Sequence, residues 1–159
     1  MIIFARISKL INTYYIAMND TKVMNLAADN IRILAASMVE KAKSGHPGGA
    51  MGGADFINVL YSEYLQYDPA NPKWEGRDRF FLDPGHMAPM LYSQLALTGK
   101  FSLEELQQLR QWGSPTPGHP EVDVMRGIEN TSGPLGQSTY IMLQVWLSHL
   151  LQWPLQMVR

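Results

Sequence analysis

Cysteine is missing from all 159 residues, which excludes disulfide bonds, thiolate metal sites and a cysteine nucleophile. A reducing cytoplasm is compatible with that, and a cytoplasmic location is the expectation. Charge is scarce: Asp, Glu, Lys and Arg make up 17% of the chain, against roughly 25% in an average soluble domain. The shortage sits at the ends, because residues 1–19 carry only Arg6 and Lys9 and residues 138–159 only Arg159. Neither sign dominates, with 13 basic against 14 acidic side chains. Neither a nucleic-acid backbone nor an anionic membrane is therefore expected as a partner. Long apolar runs are lacking as well. The opening segment MIIFARISKLINTYYIAM is broken by Arg6, Lys9 and Asn12, which leaves stretches too short for a membrane span or a signal core. Three sequence signatures are absent: the G-x-G-x-x-G dinucleotide turn, the G-x-x-x-x-G-K-[ST] phosphate loop and the G-x-S-x-G nucleophile elbow. There is no internal repeat.

What remains reads as one domain with appended ends. Residues 1–21 form an N-terminal extension, and Met18 is a candidate for the natural start. From Val23 the apolar positions Ala27, Ile31, Leu34, Met38 and Ala42 advance by three or four, the period of a helix. Asn19 or Asp20 is placed to cap it, and Gly45 to end it with a positive φ. A glycine-rich turn, SGHPGGAMGG, follows. Phe56, Val59, Leu60 and Tyr64 then predict a second helix. Pro69 and Pro72 break the next segment, and Phe80, Phe81 and Leu82 read as a short buried strand stopped by Asp83, Pro84 and Gly85. Residues 87–98 predict a further helix closed by Gly99, and Ser102 with Glu105 forms an S-x-x-E capping box. Strand, tight turn and helices together indicate an α/β class. Residues 113–137, with five glycines and four prolines, follow neither period and form a long loop that needs either a ligand or disorder. In the apolar tail, residues 138–159, Pro154 is expected to interrupt any regular element.

Three turns share one construction: Gly45-His46-Pro47, Pro84-Gly85-His86 and Gly118-His119-Pro120. Glycine permits close backbone approach and proline restricts the torsions, so each imidazole can project from a defined turn and hydrogen-bond or carry a proton near neutral pH. If the turns converge, the three rings could steer a polyhydroxylated or phosphorylated substrate. The alternative is that each ring bonds within its own loop. Gaps of 40 and 33 residues between them match no compact metal-ligand spacing. Asp83 is suited either to orient His86 or to cap the next helix. The run Thr131-Ser132-Gly133-Pro134-Leu135-Gly136-Gln137 can bring backbone amides and one apolar side chain against a flat ring, or can simply pack as loop. Trp112 is expected to anchor the long loop by burying its ring, with stacking on a ligand as the alternative.

Taken in order, SGHPGGAMGGADFINVLY, RDRFFLDPGHMAPMLYSQLALTG, SPTPGHPE and ENTSGPLGQ resemble the N-terminal segment of transketolase over roughly residues 22–137. The resemblance implies an incomplete thiamine-diphosphate-binding domain, with helices around a partial parallel sheet. It also implies a family reaction that transfers a two-carbon ketol unit between sugar phosphates in the pentose phosphate pathway. Thiamine diphosphate and Mg2+ or Ca2+ are the implied cofactors. By motif, His46 would face the reacting hydroxyls, His86 would lie near the cofactor diphosphate and the reacting centre, and His119 would meet the donor hydroxyls, so that all three are catalytic candidates. Gly133, Pro134, Leu135 and Gly136 would line the thiamine, with Leu135 as its apolar contact. Two departures stand out. The family pattern has a small or amide residue before the second Gly-His, where this chain has Asp83-Pro84. After Gln137 the family continues with glycine and a helix rich in small residues, whereas STYIMLQVWLSHLLQWPLQMVR contains no alanine or glycine. The family's Gly-Asp-Gly region, its metal-binding asparagine and its pyrimidine-side domain find no match. A truncated or frameshifted piece, inactive alone, is therefore the expectation. One component of a split transketolase is the alternative, or a non-enzymatic fragment that forms a homodimer or inhibits a complementary transketolase chain. The synthase that makes deoxyxylulose phosphate resembles these segments less.

Overall fold

The computed structural model describes residues 20–156, so all but the last two residues of the expected N-terminal extension, Met18 included, lie outside it. Helix α1 (Thr21–Ala42) starts at Asp20, whose side chain accepts from the Lys22 amide at 2.7 Å. It buries Ala28, Ile31, Ala35 and Met38. Val23, assigned to the buried face by spacing, is 52% exposed, because the stripe that packs begins a turn later. Lys43, not Gly45, takes the first left-handed position after the helix, at φ 50°, and its amide donates to Glu40 O. Gly45 follows with φ 136°.

Short helices α2 (Pro47–Gly52) and α3 (Ala54–Val59) continue into a π-helical turn, Leu60–Tyr64. The second predicted helix thus exists, but its other face is the buried one. Ala54, Ile57, Asn58 and Tyr61 are covered, while Phe56 and Tyr64 are exposed. Both faces carry apolar residues at helical spacing, and periodicity alone does not choose between them. The choice is made by α1: Asn58 Nδ2 donates to the Met24 carbonyl at 3.0 Å.

Helix α4 (Ala88–Leu97) is the centre of the molecule. Every residue from 88 to 95 is buried, and α1, α2 and α3 pack around it. Helix α5 (Leu103–Leu106) opens on the complete capping box, with Ser102 Oγ accepting from the Glu105 amide at 3.2 Å and Glu105 Oε2 accepting from the Ser102 amide at 2.8 Å. Arg126 and the Ser102 amide hold the Glu105 carboxyl below its usual value. A carboxylate depressed in the folded state stabilises above its unfolded pKa, and that contribution is lost as pH falls through the folded one. Ser102→Ala is expected to cost about 1 kcal/mol in urea unfolding at neutral pH. The loss should shrink as pH falls through the lowered folded-state pKa and Glu105 protonates, and a pH-independent loss would show that the box does not act as a unit.

No strand is formed among the described residues. Residues 80–82 do not pair into the expected strand, because side chains take the place of a neighbouring strand. The Leu82 amide donates to Asn130 Oδ1 at 3.2 Å, and Ser138 Oγ donates to Leu82 O at 2.8 Å while accepting from Asn130 Nδ2 at 2.8 Å. These groups are buried, so each bond satisfies a polar atom that would otherwise stand desolvated. The only strand-like pairing among the described residues is an isolated antiparallel bridge, Asp123 to Ile128.

The long loop is tied down by its own contacts. Thr116 Oγ1 donates to Glu105 O at 3.0 Å, the Val122 amide to Thr131 Oγ1 at 2.9 Å, and the Ser132 amide to Pro120 O at 3.1 Å. Helix α6 (Gln137–Gln156) then runs past Pro154, which lies in its last turn, so the i→i−4 bond that proline forfeits belongs to the terminal turn and does not divide the helix. Leucine, methionine and glutamine favour the helix even without alanine. Ser138 anchors its start, and Tyr140, Leu143, Trp146, Leu147 and Leu150 lie exposed along it.

Candidate functional site: three histidine turns and a glycine loop

His46 occupies the extended position at the head of α2, and Pro47 follows it as the first helical residue. Proline has no amide to waste there, and its ring fixes the direction in which the helix leaves the histidine. His86 lies in a 3-10 turn, Gly85–Met87, that runs directly into α4. The two rings meet with centroids 4.7 Å apart and planes tilted by 47°. Glycine makes that approach possible: a Cβ on Gly49 would stand 3.0 Å from Met87 Cγ, so the turns bearing His46 and His86 interlock.

His119 joins them through Gly85. A Cβ on Gly85 would overlap Ser132 Oγ and stand 3.1 Å from both His119 Cδ2 and Ser132 O. The second histidine turn, the third histidine and the residue before Gly133 therefore share one corner. Tyr92 of α4 fixes the third turn from below, its hydroxyl donating to Pro117 O at 2.9 Å. Burial drives the Tyr92 pKa far above its ordinary value, so the hydroxyl keeps its proton and remains a donor. His46 and His119 are exposed and His86 is half-buried.

Of the glycine run, Gly133 is half-buried while Pro134, Leu135 and Gly136 are exposed, with Leu135 at 73%. An apolar side chain that open is free to cover a ligand. Gly136 has φ 84°, a conformation side chains disfavour, and the Gln137 amide closes the turn on Pro134 O. Ser132 lies in the ENTSGPLGQ segment, where no local spacing marks it as functional. Its hydroxyl is buried at this corner without a hydrogen-bond partner among the described residues. Asp83 and Pro84 alter the turn without removing His86 from the group.

Beside His119 opens a hollow of about 730 Å³ lined by Arg110, Trp112, Gly118 and Glu121. Trp112 stands fully exposed at its rim, so it is not the buried anchor its size suggests. Thr116, buried beneath, is among the residues that tie the loop instead. No group of three or more His, Cys, Asp or Glu side chains capable of holding a metal occurs among the described residues. No described helix is long and apolar enough to cross a membrane.

The histidine turns and the glycine loop thus meet at one corner, at the head of packed helices. The family description "Transketolase, thiamine diphosphate binding domain" matches residues 23–149. The chain belongs to the transketolase family. It is 54% identical over 116 residues to the transketolase of Halalkalibacterium halodurans, an alignment that covers 72% of this chain and 17% of that protein. Among solved structures, transketolase from Leishmania mexicana superposes with a TM-score of 0.69 at 44% identity, covering 72% of this chain and 17% of that one. Pichia stipitis transketolase in complex with sedoheptulose-7-phosphate superposes with a TM-score of 0.68 at 39% identity, over 75% and 18%. These neighbours are α/β proteins, which places the chain in that class. The chain spans about one sixth of the length of the relatives it matches.

Proposed function

We propose that residues 22–137 are the diphosphate-side portion of a transketolase-type enzyme, with residues 1–21 an extension and 138–159 a divergent tail. The observation that carries this reading is the shared corner of His46, His86, His119 and Ser132. In it, His46 and His119 meet the hydroxyls of a sugar phosphate and His86 faces the cofactor. Gly133, Pro134, Leu135 and Gly136 lie against the thiamine, with Leu135 as its apolar contact. The unpartnered Ser132 hydroxyl suits an organic ligand bearing a polar atom. Thiamine diphosphate, when bound, supplies the carbanion chemistry of two-carbon transfer. The imidazoles supply hydrogen bonds to sugar oxygens and places for a proton, which lowers the cost of charge developing on those oxygens.

Among the described residues no group of three or more His, Cys, Asp or Glu side chains is placed to hold the Mg2+ or Ca2+ that the complete family enzyme would use. Residues 80–82 become a strand of a parallel sheet in this reading once further strands flank them, and the exposed apolar side of α6 is covered at the same time. That uncovered helix favours a second component, either the rest of a longer chain or a complementary transketolase polypeptide, over the 159 residues acting alone. The reading carries a cytoplasmic location with it.

The isolated chain is expected to show no measurable two-carbon transfer, and weak or no binding of thiamine diphosphate with magnesium by isothermal titration. Tight saturable binding would overturn the view that the site is incomplete. At millimolar cofactor, the His86 ring and the amides of Gly133, Leu135 and Gly136 are expected to shift first in NMR spectra. Shifts confined to another region would overturn the site assignment.

A further inference from the structure

Two side-chain bridges stitch the segment leading into the long loop to the segment leading into the His46 turn. Lys41 Nζ donates to Gln107 Oε1 at 3.0 Å, and Arg110 Nη1 donates to Ser44 Oγ at 2.8 Å. Ser44 stands two residues before His46. Arg110 also reaches the other histidine turn, because its guanidinium lies against Gly118, the neighbour of His119. A Cβ on Gly118 would come within 2.8 Å of Arg110 Nε and 3.3 Å of its Cζ. One side chain thus touches the flanks of both exposed histidines and lines the hollow beside His119.

The backbone of Arg110 is itself unusual. It sits at φ 63°, in the left-handed region that a side chain disfavours, with its amide donating to Thr116 O at 3.0 Å. Such a conformation persists where the surroundings over-determine it. Here the constraint comes from Thr116, which is fully buried and bonded to the end of α5 through Glu105 O. The strain aims the guanidinium into the gap between the two turns. A planar fork suits that place, since one edge can bond the Ser44 hydroxyl while its face lies on a bare glycine.

We infer that Arg110 is a positioning residue that sets the His46 and His119 turns relative to one another. The inference rests on the reading of those histidines as ligand-facing only for its functional meaning, since the clasp itself is a property of the free chain. Arg110→Gly tests it cleanly. Glycine suits φ 63°, so the variant loses the guanidinium without adding backbone strain and is expected to fold.

In the 159-residue chain, Arg110→Gly is expected to shift the ring C–H resonances of both His46 and His119. The Gly53 amide, which closes the helix headed by His46 by donating to Gly49 O at 2.9 Å, should exchange about fivefold faster. Ser44→Ala should move the His119 resonance although Ser44 lies on the other turn. The double variant should do no more than Arg110→Gly alone, as partners in one interaction do. Arg110→Gly that moves only His119, or Ser44→Ala that leaves His119 unmoved, would overturn the clasp. Neither result bears on cofactor or sugar contact. Conversely, histidines that prove blind to ligand would overturn the functional reading while leaving the coupled shifts in place.

Discussion

Gly85→Ala is expected to disrupt the candidate site and to destabilise the fold by about 1–3 kcal/mol, the range for forcing an extra carbon into a packed interior. Gly85 is buried, and an added Cβ would overlap Ser132 Oγ and stand 3.1 Å from the Ser132 carbonyl oxygen and from His119 Cδ2. Rotating the serine hydroxyl away relieves the first contact only. The carbonyl belongs to backbone that is itself bonded to Pro120 through the Ser132 amide, so relief there must move the turn that carries His119. Gly48→Ala is the matched control. Nothing lies within 4 Å of a Cβ at Gly48, and that variant should unfold within about 0.5 kcal/mol of the parent. Urea unfolding followed by Trp and Tyr fluorescence gives the energies, and the His86 and His119 ring resonances report the site. Equal stability of the two variants, with unshifted rings, would show that the corner is looser than its geometry.

Glu129→Ala is expected to have the largest effect on stability. The carboxylate receives Arg77 Nε at 2.6 Å and Nη2 at 2.9 Å, a bidentate pair in which both side chains are only about a tenth exposed, and Arg79 Nε lies 3.9 Å from it. Removing one partner of a buried pair strands the other charge, which costs about 3–5 kcal/mol. A domain holds roughly 5–15 kcal/mol in total, so the variant should be marginal at 25 °C. Glu129 begins the run that passes through Asn130 and Ser132 to the glycine loop, so its loss should also free that loop from residues 77–82. Glu129→Gln keeps the shape and one acceptor and should lose less. The loss should persist at high salt, because a buried pair is screened weakly. By contrast, breaking the exposed Lys43 to Glu40 pair should change little. A Glu129→Ala chain that unfolds at the parent's urea midpoint would remove the ion pair from the account of the fold.

Local features were legible wherever a backbone group has only local partners. The Asp20 cap, the box of Ser102 and Glu105, and the helices after Asp20 and Gly85 depend on residues two to four apart, and those distances are written in the chain. The apolar face of α1 was half right, because a periodic stripe fixes a face but not the point at which a neighbour begins to cover it. The second helical segment shows the same limit more sharply, with Phe56 and Tyr64 exposed and Ile57 and Tyr61 buried. The strand expected at residues 80–82 failed for a different reason. Sheet pairing needs another strand, and in this chain Asn130 and Ser138, some 50 residues away, supply the hydrogen bonds instead. Trp112 was misjudged because a large ring is usually buried, whereas here Thr116 does the anchoring.

By itself the sequence determined the family, because the ordered segments around the three Gly-His turns and the T-S-G-P-L-G-Q run are local motifs that carry the resemblance. It also determined that no thiolate chemistry occurs here, since no cysteine exists to carry it. Only the tertiary structure decided that the histidines converge. Their separations of 40 and 33 residues are bridged by α4, buried on all sides, and by Gly85, which lets three loops close on one corner. The structure alone also singled out Ser132 and Arg110, because a missing hydrogen-bond partner and a left-handed φ are relations between distant groups that no spacing along the chain encodes.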